Sequence, residues 1–246
     1  MKICVAQTKP VTGNIESNIE HHKKLIHRAI LNGADTIIFP ELSLTGYEPT
    51  LAKTLATHKD DRRFDDFQKM TDAHAITIGV GVPLETDRGV CIGMVIFHPH
   101  QKRQVYAKKY LHADEEPYFV SGENGTDLMD HKPNMALAIC YELSVPEHAE
   151  NAFQKGANVY VASVAKSASG VDQASQRLSE IAKMYSMMVF MSNCIGPCDN
   201  FESAGKTSVW NDNGLLVGQL GDVPEGILVF DTVSQACVQE VICCVT

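Results

Sequence analysis

Short apolar runs alternate with amphipathic stretches along the whole chain, and this alternation restricts the fold more than any other feature of the sequence. Residues 2–7, 36–40, 134–140 and 158–164 are apolar runs rich in Val, Ile and Ala, and they are too short for typical helices. They predict strands, and the amphipathic stretches between them predict helices. Long Val/Ile runs without polar alternation are typical of sheets that are buried on both faces.

Hairpins interrupt the alternation of strands and helices. Residues 90–97 and 104–111 flank one polar turn, and residues 206–210 and 215–220 flank another. Uninterrupted βαβ repetition predicts a doubly wound sheet or a barrel, whereas hairpins suit two mixed sheets packed together with helices outside. We therefore expect an α/β fold that forms a single domain over residues 1–246.

Helix boundaries are marked by capping residues. Asn14 predicts the start of a helix that Gly33 ends, and residues 61–74 and 172–188 predict two more helices. Residues 144–147 (SVPE) form a capping-box pattern with Pro in the first turn. This pattern predicts that another helix begins at Ser144, shortly after Cys140.

The charge balance excludes several classes of partner. The chain has 21 Lys and Arg against 30 Asp and Glu, a formal net charge of -9. Non-specific binding to nucleic acid or to anionic membranes needs clustered positive charge, so we expect neither partner. No signal-like segment and no apolar stretch of about 18 residues occurs, which predicts a cytoplasmic protein. In that reducing compartment most of the eight Cys residues are expected to be buried free thiols.

Three reactive side chains stand at or near the ends of predicted strands. They are Glu41, Lys108 and Cys140. Alone, each has an ordinary explanation: a backbone cap, a solvent-facing charge and a core thiol. Brought together beyond the strand ends, a carboxylate, an ammonium and a thiol form an activated nucleophile.

The residues around these three side chains resemble the carbon–nitrogen hydrolase (nitrilase) family. Residues 39–47 (FPELSLTGY), 106–111 (YAKKYL) and 138–142 (AICYE) are similar to its glutamate, lysine and nucleophile segments. Residues 118–123 (YFVSGE) are similar to the stretch that follows the lysine. Further positions in the family's order are Gly156, Ala157, Asn193, Gly196, Phe201, Gly205 and Ser208.

The chain departs from the family's common pattern beside two of these segments. Ala107 and Tyr110 stand where the family often has Arg before the lysine and His two residues after it. Ser144 and Val145 replace a common Arg-Phe pair after the nucleophile. These changes concern the rim and the support of the site, so they bear on the substrate more than on the type of reaction.

The resemblance implies a four-layer αββα sandwich with two mixed sheets, and it implies a mechanism. Cys140 would attack the substrate carbon and form a thioester, with Glu41 as general base and acid. Lys108 and the backbone N–H of Tyr141 would hold the oxyanion. The helix expected at Ser144 would favour negative charge on the sulfur.

A second glutamate often supports the lysine in this family. Counting back from Gly122 favours Glu115 over Glu116, and Tyr47 is a candidate for contact with the substrate. Because neighbouring residues of a strand face opposite ways, Lys108 and Lys109 cannot both point into the site, and the motif register selects Lys108. The resemblance implies no cofactor and no metal.

The expected activity is hydrolysis of a non-peptide C–N bond in a small amide. Residues 141–143 (YEL) are closer to the amidase pattern than to the Trp-Glu-Asn run of nitrile-cleaving members. The net charge of -9 favours neutral or cationic amides on approach. Hydrolysis of an N-carbamoyl amine or amino acid, or of a nitrile, remains open as an alternative.

Four other classes of protein have weaker support. Cys194 and Cys198 are four residues apart, but no second matching pair suggests zinc, and no helix-opening CxxC suggests a thiol-redox protein. Gly79 and Gly81 lack the third glycine of a dinucleotide-binding motif. A catalytically silent binding protein of the same fold would not need all three reactive side chains.

The family resemblance also implies a homodimer. We expect its contacts on the helix around residues 178–188 and on the apolar tail 241–246 (VICCVT), each of which has core packing as its ordinary alternative.

Overall fold

The computed structural model describes residues 1–123, 128–129 and 134–242. The strands and α-helices run in chain order as β1 (Lys2–Gln7), α1 (Ile15–Leu31), β2 (Thr36–Ile38), α2 (Ala52–Leu55), α3 (Asp65–His74), β3 (Thr77–Thr86), β4 (Gly89–Phe97), β5 (Gln104–Ala107), β6 (Leu128–Met129), β7 (Met135–Ile139), α4 (Pro146–Gln154), β8 (Val159–Val164), α5 (Ala168–Tyr185), β9 (Met188–Asn193), β10 (Ile195–Cys198), β11 (Phe201–Ala204), β12 (Ser208–Trp210), β13 (Leu216–Gln219), β14 (Glu225–Asp231) and β15 (Cys237–Ile242).

Most of the described strands form two large mixed sheets. The first has the order β15-β14-β1-β2-β3-β4-β5, and the second has the order β13-β12-β9-β8-β7-β6. In each sheet three central strands are parallel, β1-β2-β3 in one and β7-β8-β9 in the other. Antiparallel hairpins extend both sheets, as the pattern of polar turns predicted.

Three clusters of buried apolar side chains define the layers. One cluster lies between the sheets and contains Val5 and Ile38 from the first and Leu137 and Phe190 from the second. A second cluster packs α1 and α3 against the outer face of the first sheet. A third packs α4 and α5 against the outer face of the second sheet. The expected four-layer αββα sandwich is confirmed.

The capping residues predicted from the sequence agree with the structure at α1 and disagree with it at α4. The Asn14 side chain accepts a hydrogen bond from the Ser17 N–H at 3.0 Å, and α1 begins directly after it. The capping box expected at Ser144 is wrong. The N-cap of α4 is Val145, which makes no side-chain cap, and Pro146 occupies the first turn. A short 3₁₀ helix over Cys140–Ser144 takes the place of the predicted helix start.

The surfaces expected to form a dimer interface are only partly exposed. Leu178, Ile181 and Ala182 of α5 belong to the core against the second sheet, whereas Met184 is 65% exposed. Residues 243–246 of the apolar tail lie outside the described part of the chain. None of the described helices has the length and hydropathy needed to cross a membrane.

Gly81 allows the loop after β2 to cross β3. A Cβ atom on Gly81 would lie 2.3 Å from the Pro40 carbonyl oxygen and 2.5 Å from the Leu42 nitrogen. Both contacts are with backbone, so a side chain there has no room to adjust. The close approach positions Glu41, which stands between Pro40 and Leu42.

Substitution of Gly81 by Ala should therefore displace the Glu41 loop. We expect G81A to lower the free energy of unfolding by about 2 kcal/mol and the melting temperature by roughly 4–8 °C. Gly221→Ala is the matched control, since its nearest atom would lie at an ordinary 3.7 Å. Thermal melts of both variants provide the measurement. Equal melting temperatures would show that the Glu41 loop moves without a loss of stability.

Candidate active site

The structure brings Glu41, Lys108 and Cys140 to one edge of the sandwich. Glu41 follows β2, Lys108 directly follows β5 and Cys140 directly follows β7. Hydrogen bonds between the sheets hold this edge together. The Ser163 hydroxyl donates to the Phe39 carbonyl at 2.8 Å, so the second sheet is joined to the chain two residues before Glu41.

Lys108 is a fully buried ammonium between two carboxylates. Its Nζ donates to Glu41 Oε1 at 2.9 Å and to Glu115 Oε1 at 2.6 Å. Burial alone would lower the pKa of Lys108, but the negative charges of Glu41, Cys140 and Glu115 raise it above its ordinary range. Lys108 is therefore a permanent cation, and with three N–H donors it keeps one for a further acceptor.

Lys108 extends the ladder of β5 by one residue beyond the strand. Its N–H donates to the Ile92 carbonyl at 2.8 Å, although the strand ends at Ala107 and not at residue 111 as predicted. Lys108 is buried and Lys109 is exposed, so the two neighbours point in opposite directions.

The structure places Glu115, and not Glu116, against the lysine. Glu115 is 1% exposed, whereas Glu116 is on the surface. The Tyr47 hydroxyl donates to Glu115 Oε1 at 3.0 Å, and the His112 N–H donates to Glu115 Oε2 at 2.8 Å. Tyr47 thus contacts the carboxylate that holds Lys108, and it also lines the cavity described below.

Glu41 has one carboxylate oxygen free for a proton. Its Oε1 accepts from Lys108, while its Oε2 is buried and has no hydrogen-bond partner of good geometry among the described residues. Burial raises the pKa of Glu41, and hydrogen bonding with the Cys140 thiol is one of the smaller effects that oppose this. The thiol therefore lies near the carboxylate, and a carboxylate of raised pKa is a competent proton acceptor.

Cys140 occupies a strained position and its thiol is protonated. Its φ of 43° lies in the left-handed region, as does the φ of 50° at Leu42 beside Glu41. Such strain at non-glycine residues is concentrated at functional sites. Burial and the charge of Glu41 raise the pKa of Cys140 to about 11. The expectation that a following helix favours the thiolate stays a prediction; α4 does follow, but it begins six residues after Cys140.

Glu142 is a functional candidate that sequence reasoning missed. Its carboxylate is fully buried and accepts from the N–H groups of Ile139 at 2.8 Å and Lys109 at 2.7 Å. It also accepts from the Tyr106 hydroxyl at 2.6 Å. Glu142 thereby joins the turn that carries Cys140 to the segment that carries Lys108. Its signal in the sequence was its place two residues after the nucleophile.

A cavity of about 440 Å³ opens above Cys140. Tyr47 and Tyr141 line it, as expected for candidates for substrate contact, and the Tyr141 side chain is 37% exposed. One wall is the hairpin β10–β11, which was not predicted from the sequence. Lys166, at the start of α5, is a further lining residue that the sequence analysis did not single out. The full lining is Tyr47, Pro49, His112, Asp114, Glu115, Pro117, Tyr118, Cys140, Tyr141, Ala165, Lys166, Ser167, Gly170, Asp199, Asn200 and Phe201.

The paired cysteines lie close together without a metal-binding cluster around them. The Sγ atoms of Cys194 and Cys198 are 3.6 Å apart, because the chain bends at Gly196, where φ is 86°. Within residues 1–123, 128–129 and 134–242, no group of three or more His, Cys, Asp or Glu side chains could hold a metal ion.

A family model for carbon-nitrogen hydrolases matches residues 2–241. This match covers nearly all of the chain and agrees with the motif order and the layer architecture. The chain therefore belongs to the carbon-nitrogen hydrolase family.

Solved structures of an amidase from Nesterenkonia sp. AN1 have the same fold. Its cysteine-to-alanine variant in complex with butyramide gives a TM-score of 0.86 at 21% identity, covering 96% of this chain and 92% of that chain. A variant with acrylamide added at the active site cysteine gives 0.85 at 21% identity, covering 96% and 94%.

Curated relatives are longer proteins. The glutamine-dependent NAD(+) synthetase of Acinetobacter baylyi is 26% identical in an alignment 229 residues long that covers 89% of this chain and 41% of the relative. The same enzyme of Thermotoga maritima is 24% identical in an alignment 241 residues long that covers 94% of this chain and 42% of the relative. The chain spans about two fifths of the length of these relatives.

The two adjacent lysines provide a matched pair of variants. We expect Lys108→Ala to lower kcat for an amide by roughly 10²- to 10³-fold, the usual loss for an oxyanion donor. Lys109→Ala should lower it less than about threefold, because Lys109 is exposed. Steady-state assays provide the measurement. Since Lys108→Ala leaves two carboxylates buried, Lys108→Arg and a thermal melt accompany it to separate misfolding from lost activity. A larger loss of kcat in Lys109→Ala than in Lys108→Ala would show that the wrong lysine has been assigned to the site.

The pKa of Cys140 should depend on Glu41. The negative charge of Glu41 helps to raise that pKa to about 11, so Glu41→Gln should lower it. Thiolate absorbance in the ultraviolet, taken as the difference from Cys140→Ala, measures the titration. A midpoint at or below the ordinary value of a thiol in the unmodified protein would contradict the site as described.

Proposed function

We propose that this chain hydrolyses the C–N bond of a small amide through a thioester on Cys140, releasing ammonia or an amine. The single observation that carries the proposal is the cluster at the base of the cavity. There a thiol adjoins a carboxylate of raised pKa and a buried ammonium with one unused donor.

The first half of the reaction forms the thioester. As the Cys140 sulfur attacks the amide carbon, its proton passes to Glu41 Oε2. The negative charge that develops on the substrate oxygen is held by the third N–H of Lys108 and by the backbone N–H of Tyr141. Glu41 then protonates the nitrogen, and the C–N bond breaks as ammonia or an amine departs.

The second half returns the enzyme to its initial state. Glu41 removes a proton from water, and the resulting hydroxide attacks the thioester carbon. The same donors hold the second oxyanion. The C–S bond then breaks, Cys140 recovers its proton from Glu41, and the carboxylic acid leaves. The net reaction consumes one amide and one water.

An amide is favoured over a nitrile or a carbamoyl group by the chain's likeness to amidases of known structure and by the residues at 141–143. The Nesterenkonia amidase binds butyramide, and its active site cysteine adds acrylamide. The NAD(+) synthetases are glutamine-dependent, and glutamine is itself an amide. The chain shares the fold with the first group and distant sequence similarity with the second.

The proposal is tested by matched amide, nitrile and N-carbamoyl substrates. We expect the highest kcat/KM with the amide, release of ammonia, and an acyl adduct on Cys140 by intact-mass spectrometry. Cys140→Ala should abolish turnover, while the control Cys194→Ala should retain it. A higher kcat/KM with the nitrile would make the chain a nitrilase, and an adduct on another cysteine would remove Cys140 from its role.

Two further expectations belong to this proposal. We propose that the protein acts in the cytoplasm and forms a homodimer. The exposed side chains of Phe153 and Met184 and the partly buried ring of Tyr185 lie on α4 and α5. The Phe153 and Tyr185 rings are 5.2 Å apart, and these side chains are candidates for the contact. A monomeric mass in solution at micromolar concentration would contradict the dimer.

A further inference from the structure

The cavity above Cys140 contains a cation whose charge no neighbouring group balances. Two of the acidic groups in its wall are already paired: Asp114 contacts His112 at 2.6 Å, and Glu115 contacts Lys108 at 2.6 Å. Lys166 also lines the cavity, and its ammonium forms no ion pair with any residue in the described part of the chain. An ammonium that lines a half-open cavity without an ion-pair partner is a natural binding group for an anionic ligand.

The backbone of Lys166 is held firmly in place. Its N–H donates to Asn193 Oδ1 at 3.0 Å. Its carbonyl accepts from Asn193 Nδ2 at 3.2 Å, from the Ser203 hydroxyl at 3.1 Å and from the Ala204 N–H at 2.9 Å. Asn193 and Ser203 are themselves buried. The backbone of the lysine is therefore fixed by the core, and the half-buried side chain extends from it into the cavity.

The charge of Lys166 acts close to the nucleophile. Among the effects on the pKa of Cys140, Lys166 is the largest that lowers it, ahead of Lys108. Lys166 also precedes Ser167, the N-cap of the 18-residue helix α5. Ser167 and Gly170 line the same cavity, so the positive end of the helix dipole adds to the field of the lysine. Lys166 and the start of α5 thus supply positive charge to one wall of the cavity, although Glu41 has the larger effect on Cys140 itself.

Asp199, the acidic residue on the hairpin wall, differs from Lys166 in its exposure to water. Asp199 lies at the tip of β10–β11 and is exposed, so water screens its charge. Lys166 is half-buried, so its charge is screened less. The net charge of -9 describes the whole surface, whereas the potential that a bound substrate meets is set by the nearest groups.

We propose that Lys166 binds a carboxylate of the substrate. Its substrates are then small amides that carry a carboxylate a few bonds from the amide to be cleaved. This inference rests on the proposed function, since it assigns the substrate class of the same site. It replaces the expectation of neutral or cationic amides that the net charge suggested.

The test compares three amides of similar size and different charge. They are succinamic acid, butyramide and the amide of β-alanine, which are anionic, neutral and cationic at neutral pH. We expect the anionic amide to have a kcat/KM at least about tenfold above that of butyramide. Lys166→Met should reduce that ratio by roughly 10- to 100-fold, the usual effect of losing a charge-assisted hydrogen bond, and mainly through KM. Lys166→Glu should favour the cationic amide.

Lys183→Met is the matched control. It removes one positive charge from the last turn of the same helix, on the exposed surface away from the cavity. We expect it to leave the preference among the three amides intact. A similar loss in both variants would mean that the effect is one of net charge and would overturn the proposal.

Binding measurements test the role of Lys166 independently of catalysis. Calorimetric binding of succinamic acid and butyramide to Cys140→Ala, with and without Lys166→Met, measures recognition directly. Equal affinities for the two amides would overturn carboxylate binding. A uniform loss of kcat on all three amides in Lys166→Met would overturn it too, because the lysine would then only tune the thiol. A third outcome is that Cys140→Ala binds succinamic acid preferentially, while the unmodified protein neither hydrolyses it nor forms an acyl adduct on Cys140. That outcome would refute the proposed function and support the role of Lys166 in carboxylate binding.

Discussion

The Lys108 ammonium, buried between the carboxylates of Glu41 and Glu115, imposes the geometry on which the rest of the site depends. A lone ammonium in the interior costs several kcal/mol, and two carboxylates within 3 Å compensate for it only if all three groups are held closely. These groups come from three separate segments of the chain. The two carboxylates share one cation, so the cluster carries excess negative charge. Burial, and after it the charge of Glu41, raise the pKa of Cys140, which favours the protonated thiol.

The sandwich supplies the rigidity that this cluster needs. Carboxyl ends of parallel strands from both sheets meet at one edge, and Ser163 joins the sheets there by a hydrogen bond to the Phe39 carbonyl. Glu142 joins the Cys140 turn to the Lys108 segment through a fully buried carboxylate. Strained φ angles at Leu42 and Cys140 persist because the surrounding packing determines the backbone so completely.

The reacting groups and the recognition groups have different origins in the fold. Glu41 and Cys140 follow the parallel strands β2 and β7, and Lys108 follows the edge strand β5. Glu41 and Lys108 are buried, and Cys140 is partly exposed to the cavity. The groups that face a substrate lie on the 112–118 turn, the start of α5 and the hairpin β10–β11, which are outside the central strands. The start of α5 and the hairpin β10–β11 contribute no member of the Lys108 cluster, whereas the 112–118 turn carries Glu115. This separation agrees with our proposal that the substrate is selected by local charge, above all that of Lys166, while the reacting groups are those that resemble the family's motifs.

Local periodicity in the sequence predicted two mixed sheets with helices outside and the hairpins β4–β5 and β12–β13. Short motifs that resemble a known family implied the four layers and the three candidate reactive residues. The sequence also favoured Glu115 over Glu116 by spacing. It did not reveal that α4 starts at Pro146, that Glu142 and Lys166 belong to the site, or that the thiol is protonated. Only the tertiary structure decided these points. Burial, the distance between charges and the crossing of loops arise between segments far apart in the chain, and no local pattern of residues records them.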